Sequence, residues 1–271
     1  MNFKIGFATE NNDNNMPEER IPVVCVDTPK KSVVRVHFSE CPITCSYYND
    51  MFDLHKGDIV YVEGKLEGLR GVVVDVSYTF KIKLSDYKRV IAKANTDITG
   101  TLYSAGSHFA AFDRSVLPYD KVLSWFKAPE NPEDEYVSGS DGTAFCLDNL
   151  GGMKVSAEIA ERGEQYYFNN NVVYVSVDGE HGRAIVQGSK AYEIEFNYNN
   201  GEVSGLVCGC YCSGVCKHEF AAMLQLRETL KIIDENYRQQ YHDSGYFATV
   251  SKSLLFSYVI DSKTNGSFTL G

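Results

Sequence analysis

Between residues 21 and 127, apolar and polar side chains alternate in short runs at 22–26, 32–38, 58–62, 71–76 and 79–84, bounded by Gly, Asp or Ser. Alternation of period two puts one side of an extended segment in a core and the other in water, so each run predicts a strand. Short strands at this spacing fit a small antiparallel β-barrel over 21–127, closed by a short helix at 118–126. Ahead of it, the run from Asn11 to Asn15 has no apolar periodicity. Residues 1–20 are therefore expected to form a mobile N-terminal segment.

The pattern breaks where Pro129 and Pro132 are interleaved with Glu130, Glu133, Asp134 and Glu135, followed by Ser and Gly. These residues favour extended, solvated backbone, which predicts an acidic linker at 128–142. Beyond it the sequence predicts a helix at 155–164 and strands at 172–177, 183–187 and 192–198. Asp178-Gly179 and Asn199-Asn200-Gly201 supply residues that tolerate positive φ, so the strands are expected to be joined as hairpins. Met223, Leu226, Leu230, Ile233 and Tyr237 then recur at steps of three and four, the signature of a helix packed on one side. A second domain is expected over 143–243, with a terminal hairpin over 244–271 around Asn265-Gly266.

Composition narrows the class without changing these elements. The chain has 271 residues, 44% hydrophobic, 23% charged and 13% aromatic, which excludes disordered and fibrous architectures and favours an α+β protein rich in strands. No apolar run is long enough to span a membrane. The first residues lack a secretory signal, so a cytoplasmic location is expected. The formal charge of −10 opposes a whole-protein grip on nucleic acid. That charge is unevenly spread: residues 20–127 carry fifteen basic and twelve acidic side chains, and residues 154–235 carry seven and twelve.

Candidate chemistry concentrates in the cysteines. Of eight, Cys208, Cys210, Cys212 and Cys216 fall within nine residues, which in a reducing compartment points to metal rather than disulfides. Residues two apart on a strand face the same way, so Cys208 and Cys210 can reach one ion. Cys216 and His218 complete a tetrahedron where the chain turns into the helix. Sulfur and nitrogen donors without carboxylate favour Zn2+. A full shell of four protein ligands leaves no position for a reactive water, so one structural ion is expected.

Cys208, Cys210, Cys216 and His218 resemble the SWIM zinc finger, whose pattern is Cys-x-Cys, a variable gap and Cys-x-His. Ala160-Glu161-Arg162-Gly163 with Tyr166-Tyr167, then Val172 to Val175, then Val186-Gln187-Gly188-Ser189 with Tyr192, are similar to the segment preceding the finger in bacterial SWIM proteins. Some of those are attached to Swi/Snf-type helicases. The resemblance covers roughly residues 155–235 and implies a ββα zinc domain that contacts DNA or a protein. Cys212 departs from the pattern as an extra thiol. It stands open as a competitor of Cys210, a bystander, or a solvent-facing residue.

In the first half, residues 56–73 resemble the strand–loop–strand of KOW-like small barrels. Lys81, Lys83, Lys88, Arg89 and Lys93 oppose only Asp86, and with Phe80 and Tyr87 they form a candidate nucleic-acid platform or a solvated strand edge. No P-loop, Gly-x-Ser-x-Gly or His-Glu-x-x-His motif occurs. Catalysis would need Cys146 or Cys45 as nucleophile with His108 or His37 as base, and isolated residues of these types are usually structural. The expectation is a non-enzymatic zinc adaptor for a protein partner, for which the resemblance implies a helicase-like ATPase. The alternative is direct DNA or RNA binding.

Overall fold

The computed structural model describes residues 29–130, 137–140, 142–212, 214–260 and 268–271. The expected segment at 1–20, the run at 22–26, much of the acidic linker and the Asn265-Gly266 turn lie outside these residues. The first alternating runs form strands β1 (Ser32–Phe38), β2 (Ile43–Asn49), β3 (Ile59–Val62), β4 (Gly71–Ser77) and β5 (Val90–Lys93). They pair in the order β2-β1-β4-β3-β5. A single bridge between Tyr48 and Arg89 links the two outer strands. Val34, Val36, Phe38, Val60, Val62, Val73 and Val90 fill the interior of this sheet.

The run at 79–84 is not a strand. Both edges of β4 are already occupied, by β1 and β3, so an alternating segment following it has no partner to pair with. It crosses as irregular chain into a 3-10 turn at Leu84–Asp86, and Phe80 packs edge-on against Tyr48.

Among the described residues, the second sheet has nine strands. In chain order its elements are β6 (Thr101–Ala105), β7 (His108–Ala111), α1 (Tyr119–Leu123), β8 (Phe145–Cys146), α2 (Ala157–Phe168), β9 (Val172–Asp178), β10 (His181–Gln187), β11 (Ala191–Asn199) and β12 (Glu202–Cys208). There follow α3 (Lys217–Asn236), α4 (Arg238–Ser244), β13 (Tyr246–Ser251), α5 (Lys252–Leu255) and β14 (Thr269–Leu270). The strand order is β14-β6-β7-β13-β9-β10-β11-β12-β8. The β11–β12 hairpin turns through Asn200 and Gly201, both at positive φ, as the sequence predicts.

The sheets divide the chain differently from the expected domains. Strands β6 and β7 belong to the second sheet, so the sheets divide within residues 94–100 rather than at 128–142. No composition break marks this point because the sheets share a core. Ile59, Ala94 and Ile98 pack in one cluster with Leu117, Trp125 and Tyr174. Nor do the described residues of 244–271 form a hairpin. β13 lies mid-sheet and β14 joins β6 in parallel. Between them, adjacent Leu254 and Leu255 both enter the core, which a helical turn permits and a half-exposed strand does not.

Alternation along the central strands serves two layers. Val175, Val177, Ala184, Val186 and Phe247 face α3, while Tyr174, Ile185, Tyr246 and Ala248 face the layer containing α1 and Trp125. His108 on β7 is fully buried, with Nε2 2.8 Å from the Val172 carbonyl and Nδ1 2.9 Å from the Ser107 hydroxyl. Burial holds its pKa down at about 4. A depressed histidine contributes stability above its unfolded value near pH 6.5, and that contribution is lost as pH falls towards the folded value. Acidification through this window should cost about 3 kcal/mol at this site. Urea titrations of wild type and His108→Gln should show a shallower acid limb in the variant.

Candidate metal centre

The corner between β12 and α3 brings four donors together. Cys208 ends β12, Cys210 follows in the bend, Cys216 caps α3 and His218 lies in its first turn. Their ligand atoms all lie within 4.8 Å of one another. The imidazole Nδ1 is 3.7 Å from Cys216 Sγ and 3.9 Å from Cys208 Sγ. A tetrahedral ion with sulfur at ~2.3 Å and nitrogen at ~2.0 Å sets its ligand atoms about 3.6–3.8 Å apart, so the donor set and spacing fit.

Local structure explains how the corner is held. Cys216 Sγ accepts from the Glu219 amide, and the Glu219 carboxylate accepts from the Cys216 amide at 2.6 Å, a reciprocal cap that fixes the start of α3. The helix dipole favours thiolate at this end. Tyr192 stacks on the His218 ring with centroids 4.0 Å and planes 17° apart, and Tyr166 meets it edge-on at 5.3 Å. Among the described residues, His218 Nε2 is buried without a hydrogen-bond partner. Two tyrosine rings, rather than a carboxylate, thus hold the imidazole in place. Tyr166 and Tyr192 were singled out in the sequence only as part of a resemblance, and the folded chain gives them this task.

Electrostatics point the same way. Burial, helped by Lys217, holds His218 down at about 4, leaving the ring neutral and able to donate its lone pair near neutral pH. Hydrogen bonding with Cys208, and then burial, keeps the Cys216 thiol well above its ordinary value. Burial pushes Cys210 up to about 11. A dication bound here would stabilise Cys210 and Cys216 as thiolates and release their protons.

Gly163 sets how closely α2 approaches this corner. A Cβ there would lie 2.8 Å and 2.9 Å from Phe220 Cδ1 and Cβ and 3.0 Å from the Lys217 carbonyl oxygen. Glycine to alanine within a helix ordinarily stabilises by up to ~1 kcal/mol. Here the obstacle includes backbone, so Gly163→Ala should instead destabilise by about 1–3 kcal/mol and weaken metal affinity. Urea unfolding and a competitive chelator titration check both effects.

The proposed basic platform is only partly assembled. Lys81, Lys83 and Lys88 are exposed. Arg89 is paired with Asp50 at 2.6 Å and Lys93 with Asp58 at 2.8 Å. Of the candidate catalytic histidines, His108 bonds Ser107 and Val172, and His37 bonds Thr44. Among the described residues, no helix is long and apolar enough to cross a membrane. No family model, curated protein or solved structure matches the chain.

Proposed function

We propose that the chain is a zinc-stabilised adaptor of SWIM type, with one structural Zn2+ held by Cys208, Cys210, Cys216 and His218 and no catalysis of its own. The convergence of these four donors within 4.8 Å carries the reading. The ion supplies a crosslink: it ties the end of β12 to the start of α3 and so holds the outer face of a ββα unit made by β11, β12 and α3. With four protein ligands engaged, no position is left for an activated water. The acidic balance of residues 154–235 favours a protein partner, and the resemblance suggests a helicase-like ATPase as its class. The first sheet is read as a small barrel, supported by the bridge joining its outer strands.

A second reading, direct binding of single-stranded DNA or RNA, is favoured by one observation. Lys190 lies over the rings of Tyr192 and Tyr211, and Lys217 over Tyr166. Cations interleaved with aromatic faces beside the metal centre, with Tyr211 fully exposed, are what a stacking platform uses.

Affinity capture with the tagged full chain, with and without nuclease, separates the two, alongside oligonucleotide binding at low and high salt. The adaptor reading expects one zinc per chain and a captured protein that survives nuclease and moderate salt. Oligonucleotide affinity falling steeply with salt, together with nuclease-sensitive capture, would favour the second reading.

A further inference from the structure

The thiol that the four-donor set leaves over stands beside it. A cavity of about 330 Å3 at the β12–α3 loop is lined by Cys208, Cys210, Cys212, Val215 and Glu219 among others. Cys212 is exposed, Cys208 and Cys210 are half-buried and Cys216 is buried. Cys210 and Cys212, separated by one residue, line the same cavity. The chain bends at residues 209–211. Extended residues two apart are separated by about 7 Å, and a bend shortens that span into the range a disulfide bridges.

We propose that Cys210 and Cys212 form a reversible disulfide when a hydroperoxide reaches this loop, withdrawing one ligand from the metal centre. The inference rests on the zinc reading above. A metal-bound thiolate remains a nucleophile. Cys210 Sγ attacks the distal peroxide oxygen, the O–O bond breaks, and Cys210 becomes a sulfenic acid while hydroxide or alkoxide leaves. The Cys212 thiol then attacks the sulfenic sulfur. The S–S bond forms, and the sulfenic hydroxyl departs with the Cys212 proton as water. Two electrons pass from the two sulfurs to the peroxide.

Cys212 is suited to this step because it is the exposed thiol of the group and is not needed as a ligand. Cys216 is held under the cap of α3, where bonding to another sulfur would break its pairing with the Glu219 amide. A ring closed across the single residue Tyr211 is strained, which keeps the bond easily reduced. Oxidation therefore loosens the corner while leaving a route back.

The test uses the zinc-loaded full chain. Hydrogen peroxide is added with a chromophoric chelator to follow zinc release, disulfides are mapped by peptide mass spectrometry, and recovery is followed with dithiothreitol and added zinc. Wild type should release its ion, show a Cys210–Cys212 disulfide and rebind zinc after reduction. Cys212→Ser should bind one zinc yet release it about tenfold more slowly, or irreversibly through overoxidised Cys210. Cys146→Ser, an exposed thiol on β8, should behave as wild type. Release from Cys212→Ser at the wild-type rate with full recovery, or a wild-type disulfide joining Cys210 to Cys208 or Cys216, overturns the proposal. A wild-type chain that binds no zinc at all sinks the metal reading instead.

Discussion

Cys216→Ala and His218→Ala should each reduce bound zinc from one per chain to near zero, the largest functional effect expected of any single substitution here. Structural zinc sites supply roughly 10–16 kcal/mol of apparent binding energy in small zinc-folded peptides, so losing a ligand removes a major contribution to the β12–α3 corner. The two variants differ once the ion is gone. Cys216 also caps α3, so its alanine variant should be about 1 kcal/mol less stable than metal-free wild type. The His218 variant instead loses the ring stacked on Tyr192. Metal analysis, with thermal unfolding before and after chelation, separates these terms. Cys212→Ser should keep its ion; loss of zinc from that variant alone would overturn the ligand assignment.

The second large effect is expected at Trp125, far from the metal. Its side chain is fully buried in the core shared by both sheets, and its indole N–H donates to the Asn95 carbonyl at 2.8 Å. Trp125→Ala removes that volume and the hydrogen bond to the Asn95 carbonyl. Such truncations cost about 3–5 kcal/mol. Because the neighbouring Tyr61 hydroxyl donates to the Ser124 carbonyl, β3 should loosen together with the α1 region. Urea unfolding measures the loss, and hydrogen exchange should show β3 amides losing protection. Zinc stoichiometry should not change, since the ligands belong to the opposite layer.

How much of this was legible in the sequence differs by element. β9 to β11 were readable as apolar runs with Gly179, Asn200 and Gly201 marking the turns. The one-sided periodicity of α3 was equally plain. The convergence of four donors was legible from spacing, since all come from eleven consecutive residues. Their wall was not: Tyr166 and Tyr192 lie on other elements, and no local pattern says that two tyrosines will close on one imidazole. β13 escaped because all six of its residues are buried, which erases the alternation that announces a strand. The run at 79–84 misled for the converse reason, having the pattern without a partner.

The position of β13 has a consequence for synthesis. It is paired with β7 on one side and β9 on the other, so it joins two groups of strands made well before it. Until residues 246–251 emerge, β7 and β9 each present an unpaired edge. During that interval the nascent chain is open to the wrong neighbours. A stop codon just ahead of Tyr246 would therefore yield an aggregating product even though all four candidate donors are already in place.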